Sequence, residues 1–464
     1  MRRRPRSLAA AVRRAVFLAA LAGVLSSSGT SSAAGFASAR FGGEHGNVTE
    51  ENPTALYFNP GAIARSEGIR LYLDGVLAVR SLTWTHAATE NDIPDPEGAE
   101  GANSGRAELF NVLGAPMLGA TVRVGDFAFG AAAYVPFGGR AHWSKNERFA
   151  GTAEYPLAAD GVQRWHGIEG AVTYLYGTIG VAYRWGPLGI GASANLVSSS
   201  VRSKKAKNPT GQGNPDTEHE GRAELEVSGI QGSFGLGALV EALPNELWLG
   251  ASYQAQPGLG PMQLSGTLTV TYDGSSAPYP VTLDQALPDI VRAGARYRPL
   301  PTLELRLFGD MTRWSVMQTQ CVAVEGYACL VDPTGADAGD GGVLLNLRRK
   351  WRDTVGVRAG ASHWLSQPLE LFAGVGFETA AVPDSTLDPE LADSEVISVA
   401  LGGRFELPDH WYLGASYTHL QYVPRDNRGE SELAEPMLPT RRPDGGGRYQ
   451  QWIGLLNANV EKAF

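Results

Sequence analysis

The residues that most often carry out chemistry do not fall into a catalytic spacing in this sequence. Eight histidines are scattered along the chain, and none belongs to an H-E-x-x-H pair, which would place two metal ligands on one face of a helix. A G-x-S-x-G nucleophile turn and a phosphate loop ending in G-K-[ST] are also missing. We therefore predict no enzyme activity, no metal and no cofactor. A Ser/His/acid or paired-acid site assembled from distant residues is the open alternative.

The two cysteines, Cys321 and Cys329, lie eight residues apart. In an exported protein such a pair predicts a disulfide, and closing so small a ring stabilises a fold by roughly 2 to 3 kcal/mol. Two free thiols, or metal ligation with partners elsewhere in the chain, are the alternatives.

The amino terminus has the composition of an export signal. Six arginines precede an apolar run from Ala15 to Leu25, and a small-residue stretch follows as far as Ala33. The apolar run is only about half of the roughly 20 residues that a membrane-spanning helix needs. We predict a signal peptide over residues 1–33, the alternative being a short amphipathic helix. Its removal changes the net charge from −9 to about −15, and this acidic balance gives no reason to expect a nucleic-acid partner.

The rest of the chain alternates apolar and polar residues with a period of two. In the stretch LELRLFGDM, residues 303–311, the leucines and the methionine fall on one face and the charged residues on the other. Such a pattern predicts half-buried strands. In a soluble sandwich the apolar face would pack inward, whereas in a membrane barrel it would face lipid and the polar face would line the lumen.

Turn spacing favours the barrel. Six tight turns alternate with seven long polar intervals, and a compact soluble domain rarely carries so many long loops. The turns are at residues 125–126, 186–187, 243–245, 299–301, 366–368 and 407–409. The intervals are near residues 87–115, 137–167, 200–221, 272–283, 315–344, 381–394 and 421–447. We predict an all-β fold, a transmembrane antiparallel β-barrel of about 14 strands over residues 68–464.

Residues 34–67, between the signal and the first strand, have no lasting helical or strand period. Phe36, Phe41, Tyr57 and Phe58 stand among glycines and alanines, which suits a segment folded tightly inside a larger structure. The corner Asn59-Pro60-Gly61 has turn chemistry, because Asn tolerates unusual backbone angles, Pro fixes φ and Gly accepts positive φ. An ordinary loop is the alternative interpretation.

These stretches resemble the FadL-like family of outer-membrane transporters for long-chain fatty acids. The start Ala34-Gly35-Phe36 and the Asn59-Pro60 element are similar to the family's amino-terminal hatch, although this chain has Gly61 where the family usually has alanine. The last strand, which ends in Phe464, resembles the signal of barrels inserted into the outer membrane. Further similar stretches follow in the family's order, at residues 134–138, 287–299, 308–314 and 351–354.

The resemblance implies a protein of a Gram-negative outer membrane with a hatch, residues 34–67, inside the barrel lumen. It implies passive uptake of long-chain fatty acids or other hydrophobic small molecules, with exit sideways into outer-membrane lipid. The barrel-assembly machinery would be a partner during insertion. A general porin, or a structural or adhesive barrel, is the alternative.

The resemblance also implies roles for particular residues. Gly35, Asn59, Pro60 and Gly61 would belong to the hatch, and Phe36 to a ligand site near the amino terminus. Pro136 lacks an amide donor and would open the wall, unless it only ends its strand above the membrane. Arginines facing the lumen would bind a carboxylate, unless they pair with acids such as Glu304 and Asp310. These arginines are Arg292, Arg296, Arg306 and Arg358.

Overall fold

The computed structural model describes residues 40–87, 93–208, 217–332, 337–339, 341–433 and 443–464. The predicted signal peptide and the predicted site residues Gly35 and Phe36 lie outside the described residues. Within the described ranges, no helix combines the length and the apolarity that crossing a membrane requires. The helical elements include one short α-helix, α1 (Ala55–Phe58), and short 3-10 helices such as Gly43–His45 and Pro60–Arg65.

The dominant structure is β-strand. The strands are β1 (Ile69–His86), β2 (Gly105–Val124), β3 (Phe127–His142), β4 (Glu169–Trp185), β5 (Leu188–Lys207), β6 (Gly221–Leu243), β7 (Leu247–Gln254), β8 (Met262–Tyr272), β9 (Ser275–Gln285), β10 (Ile290–Leu300), β11 (Leu303–Thr312), β12 (Thr319–Val324), β13 (Val343–Arg348), β14 (Thr354–Ser366), β15 (Leu369–Glu378), β16 (Val396–Leu407), β17 (Trp411–Tyr422), β18 (Arg425–Asp426) and β19 (Gly447–Ala463).

Fourteen of these strands form one closed antiparallel wall: β1 to β7, β10, β11, β14 to β17 and β19. The wall closes because β1 pairs with β2 on one side and with β19 on the other. Gly75 of β1, for example, lies between Pro116 of β2 and Ala458 of β19. Because the first wall strand pairs with the last, the sheet has no free outer strand, as a membrane-spanning sheet requires. The predicted β-barrel of about 14 strands is confirmed.

The faces of the wall have the polarity of a membrane barrel. On β11 the outward side chains of Leu305 and Leu307 are 42% and 57% exposed, whereas the inward side chains of Glu304 and Arg306 are 2% and 3% exposed. Apolar groups therefore face the surroundings and charged groups face the lumen, the reverse of a soluble sandwich.

The six predicted short turns all join neighbouring wall strands. Gly125 and Gly186 lie at positive φ in two of them, a conformation that glycine adopts without strain. We call this end of the barrel the short-turn end and the opposite end the long-loop end. The loop predicted for residues 272–283 is wrong in part, because residues from Ser275 onward form β9, paired with β8. Pro278 and Pro280 hide this strand in the sequence, since proline argues against a strand.

At the long-loop end the loops fold over the lumen. The β8–β9 hairpin pairs with the first residues of β6, which lie at this end of the barrel, and β12 and β13 extend that sheet. Arg164 is fully buried and binds the carboxylate of Glu220 at 2.8 Å, which joins two loops. Loop side chains such as Trp143, Trp314 and Trp351 join one apolar cluster with the inner face of the wall.

The amino-terminal segment, residues 40–68, lies inside this wall. The Gly42 amide donates to Asp74 of β1, the Asn59 side chain donates to the Ala238 carbonyl of β6, and Ser252 of β7 donates to the Phe58 carbonyl. On the far side, Asn457 of β19 donates to the Arg40 carbonyl. A segment that bonds to strands all round a closed wall must occupy its lumen.

Glycines in the wall allow this close approach. A Cβ atom at Gly237 would lie 2.0 Å from the Asn59 Oδ1 atom, and one at Gly250 would lie 2.3 Å from the Val48 carbonyl oxygen. The contact is reciprocal at Gly61, where a Cβ would lie 2.4 Å from the Gly237 carbonyl oxygen. Glycine in place of the family's usual alanine at this position therefore fits the close wall contact.

Cys321 on β12 and Cys329 in the following loop have Cα atoms 6.2 Å apart, within the range of a disulfide. This spacing is compatible with the predicted bond, which stays a prediction.

Candidate ligand path and lateral gap

A chain of aromatic rings runs from the amino-terminal segment towards the long-loop end. Tyr57 contacts Tyr134 of β3 with ring centroids 5.2 Å apart, and Tyr134 contacts Tyr176 of β4 at 5.6 Å. Phe137 continues the series to Trp314 at 6.2 Å. We call these side chains the aromatic row: Phe41, Tyr57, Tyr134, Tyr176, Phe137, Trp314 and Trp351. The row presents aromatic faces to an apolar compound, and Arg292 is the charged side chain that stacks on one of them, the ring of Tyr57.

The wall is interrupted beside this row. The β2–β3 ladder runs from Val124 and Phe127 at the turn only as far as the pair Met117 and Tyr134. Beyond that pair β2 still bonds to β1, and β3 still bonds to β4. The facing edges, residues 112–116 of β2 and 135–139 of β3, therefore have no ladder between them. We call this opening the lateral gap.

Two prolines account for the start of the lateral gap. Pro116 immediately precedes Met117 on β2, and Pro136 lies two residues after Tyr134 on β3. Neither has an amide hydrogen for a ladder bond. The β3–β4 register also shifts between Tyr134 and Phe137, so both of these rings point into the lumen. Pro136 thus lies at the interruption, and its predicted role as a gate stays a proposal.

The lateral gap lies within the apolar outer surface of the barrel. Phe110 and Val112 on the outward face of β2 are 62% and 54% exposed, as expected of side chains that face hydrocarbon.

A cavity adjoins the aromatic row on the side of β10, β11 and β14 to β17, and Tyr57, Phe58 and Trp314 are part of its lining. Two buried donors in the lining, the Trp351 indole N–H and the Thr354 hydroxyl, have no hydrogen-bond partner within the described part of the chain. The charged lining residues are Arg40, Arg292, Arg358, Asp310, Glu378 and Asp393.

The four predicted arginines separate into two pairs. Arg292 and Arg358 line the cavity, and neither forms an ion pair with any described residue. Arg292 stacks on the Tyr57 ring at 4.5 Å and donates to the Gln254 Oε1 atom at 3.3 Å. Arg296 and Arg306 instead lie nearer the short-turn end. Arg296 binds Glu51 at 3.4 Å, and Arg306 donates to Ser362 at 2.6 Å.

Charged side chains fill the lumen near the short-turn end. His45 illustrates their packing: its Nε2 atom lies 3.0 Å from the Glu370 carboxylate, and its Nδ1 atom lies 3.6 Å from Glu50. Burial opposes protonation of His45, but the Glu370 carboxylate raises the pKa of His45 above its usual value. We call this set the charged floor: His45, Glu50, Glu51, Arg65, Arg70, Glu241, Arg296, Arg298, Glu304, Arg306, Glu370, Arg404 and Glu461.

Several residues of this arrangement were not predicted from the sequence. Pro116 could have been noticed by the signal that singled out Pro136, a proline inside a strand pattern. Tyr134 stands in a stretch that resembles the family, but Tyr176 has no local signal, because its place in the row depends on strand pairing. Of the predicted hatch residues, Asn59, Pro60 and Gly61 lie together against β5 and β6.

Comparison with solved structures gives the same fold at low sequence identity. A Pseudomonas aeruginosa FadL homologue matches with a TM-score of 0.74 and 16% identity, over 94% of this chain and 98% of that chain. The TodX deltaS2S3 mutant monoaromatic hydrocarbon channel matches with a TM-score of 0.64 and 16% identity, over 89% of this chain and 94% of that chain. The P. putida toluene transporter TodX matches with a TM-score of 0.60 and 16% identity, over the same shares of the two chains. No curated protein matches this chain.

A family model described as outer membrane protein transport protein (OMPP1/FadL/TodX) matches residues 19–426. This match confirms the resemblance, the location in the outer membrane, and a transport protein rather than an enzyme. A span of that length is most of the sequence, and the chain therefore belongs to the outer membrane protein transport protein family (OMPP1/FadL/TodX).

Proposed function

We propose that this protein takes up hydrophobic compounds by passive diffusion and releases them sideways through the lateral gap into outer-membrane lipid. The observation that carries this proposal is the interruption of the β2–β3 ladder directly beside the aromatic row. Residues 34–67 act as the hatch that closes the lumen, with Asn59, Pro60 and Gly61 at its wall contact. By the resemblance to the family, Gly35 would begin that hatch and Phe36 would lie near the ligand.

The charged floor supports a sideways route over a straight one. An apolar compound moving on to the short-turn end would have to separate paired charges such as Arg70 and Glu461, which lie 2.6 Å apart. Breaking one buried pair costs about 3 to 5 kcal/mol. Release into water would also forfeit about 0.8 kcal/mol for each methylene group exposed, and exit into lipid avoids both losses.

Long-chain fatty acids are the first candidate substrates. The cavity supplies Arg292 and Arg358 without ion-pair partners among the described residues, together with the buried donors of Trp351 and Thr354. A carboxylate accepts hydrogen bonds from such groups. Monoaromatic hydrocarbons are the second candidate, because two of the matched structures are named for such compounds and the row is aromatic. The barrel-assembly machinery would be the partner that inserts such a closed wall into the outer membrane.

The proposal is tested against a general porin by comparing two permeabilities of the same protein. Cells that lack their own transporter of this family should gain uptake of radiolabelled oleate or toluene when they make this protein. In planar bilayers the purified protein should conduct ions poorly, because the amino-terminal segment and the charged floor fill the lumen. High conductance together with no gain in oleate or toluene uptake would indicate a porin instead.

If Arg292 binds the carboxylate of a fatty acid, substitutions of two arginines on β10 should affect oleate binding differently. Arg292→Gln should weaken oleate binding roughly tenfold, the loss expected for a charge-assisted hydrogen bond, and should leave binding of an uncharged long-chain alkane nearly unchanged. Arg296→Gln is the matched control, since Arg296 already binds Glu51. The measurement is the displacement of a fluorescent fatty acid in detergent. Equal losses for oleate and alkane in Arg292→Gln would reject the assignment.

A further inference from the structure

One side chain closes the lateral gap at its long-loop end. Asn111 lies on the inward face of β2, is 8% exposed, and donates from its Nδ2 atom to the backbone carbonyl of Arg140 on β3 at 2.8 Å. This is a side-chain bond in the place where an intact barrel would have a backbone ladder bond. It joins two strands that are otherwise separate from Met117 and Tyr134 onward.

Backbone contacts between the strands resume only beyond Asn111. Leu109 forms an isolated bridge with Trp143, and the Ser144 amide donates to the Glu108 carbonyl at 2.9 Å. The opening between Met117 and Asn111 spans six residues, or about 20 Å along the strand. Without the Asn111 bond the opening would extend two residues further along β2, by roughly 7 Å.

The bond also satisfies a carbonyl that the interrupted ladder leaves free. A backbone carbonyl left without a donor is costly, and the other carbonyls of a closed wall find their donors in the ladder. The amide group of Asn111 supplies the donor, which neither an apolar nor a carboxylate side chain of the same size supplies. The residue type therefore matters at this position, as well as its volume.

We propose that Asn111 is a positioning residue that sets the length of the lateral gap and thereby the bulk of the compound that leaves through it. This inference rests on the lateral exit proposed above. Asn111 need not touch the substrate, since its effect passes through the spacing of β2 and β3.

The test compares two substrates of different bulk in the same cells. A plain long-chain fatty acid is the slim probe, and the same acid carrying a pyrene group is the bulky one. Asn111→Leu keeps the number and branching of the side-chain heavy atoms and removes the donor, so the ratio of bulky to slim uptake should rise by roughly fivefold, an effect equivalent to one lost hydrogen bond of about 1 kcal/mol. Asn111→Gln retains a donor and should leave the ratio near that of the parent protein.

Asn459 provides the matched control. It is a half-buried, inward-facing amide on β19, and it lies where the wall ladder is intact on both sides. Asn459→Leu should leave the ratio unchanged. If Asn111→Leu assembles in amounts too small to assay, Asn111→Ala at the same position replaces it, with the same expected rise.

Two results separate failure of this inference from failure of the proposed function. An unchanged ratio in Asn111→Leu, in a protein whose uptake stops when the lateral gap is cross-linked, would overturn the role of Asn111 alone. Uptake of both probes that persists after cross-linking would overturn the lateral exit, and the inference with it.

Discussion

Bridging the two edges of the lateral gap should stop uptake of hydrophobic compounds. Gly114 lies on the unpaired edge of β2 and Gly138 on the unpaired edge of β3, both on the outward side of the wall. A Cβ atom at Gly114 would meet no other atom within 4 Å, so a cysteine fits there. A short bismaleimide bridge between Gly114→Cys and Gly138→Cys would occupy the opening. Uptake of oleate should then fall by about tenfold or more, because the remaining route crosses the charged floor.

The first control uses the same cross-linking reagent on a cysteine pair at a different position in the wall. Ala194→Cys with Phe234→Cys puts a cysteine pair on neighbouring strands β5 and β6, directly opposite each other in an intact ladder, and bridging it should leave uptake unchanged. The parent protein, treated with the same reagent, controls for Cys321 and Cys329. Uptake that survives complete bridging of residues 114 and 138 would refute the exit between β2 and β3.

Removal of residues 35–66 should convert the closed lumen into a water-filled one. Phe41, Leu56, Tyr57 and Phe58 contribute buried rings and an apolar side chain to the lumen, and each is at most 5% exposed. Without them the lumen retains many charged side chains of the wall, such as Arg306 and Glu370, which water solvates readily. Ion conductance in planar bilayers should rise severalfold, as for wide barrels with an aqueous channel.

The wall itself should withstand this deletion. β1 pairs with β19 from Arg70 to His86, and this closure does not involve residues 35–66. Heat-modifiable migration on gels would confirm that the shortened protein is still a barrel. Asn59→Ala offers a milder comparison, because it removes the bonds to the Val48 and Ala238 carbonyls and leaves the segment in place. An unchanged conductance after the deletion would mean that the loops at the long-loop end close the lumen instead.

The cavity beside the aromatic row contains charges of both signs, so it differs from a site lined only by cations. The cavity beside the aromatic row has both arginines and acids in its lining, so a carboxylate would compete with Asp310, Glu378 and Asp393 for the same cations. Arg292 is the exception, because its close partners are an aromatic ring, a carbonyl and a neutral amide. Among the four predicted arginines, it is therefore the one on which a head-group effect should be largest.

The barrel could be predicted from the amino-acid sequence, because the signals for its strands and turns are local. Alternation in residues 303–311 fixes which side chains share a face, and a glycine or proline turn ends a strand within a few residues of its own position. Six short turns and seven long intervals then require a closed wall with both ends of the chain on one side. The prediction of a loop at residues 272–283 was wrong in part because it used only local signals. β9 is stabilised by pairing with β8 and β12, and its own residues do not indicate a strand.

The position of the lateral gap, and which lumen arginines lack an acid partner, became clear only from the folded structure. Arg292 and Arg296 lie four residues apart on the same face of β10, and no local pattern separates them. The acid that pairs with Arg296 is Glu51, 245 residues earlier in the chain. The lateral gap likewise depends on which residues of β2 and β3 stop pairing, and on Asn111 reaching a carbonyl 29 residues away. Such contacts follow from the register of a closed sheet, which brings distant residues together and leaves no trace in the local sequence.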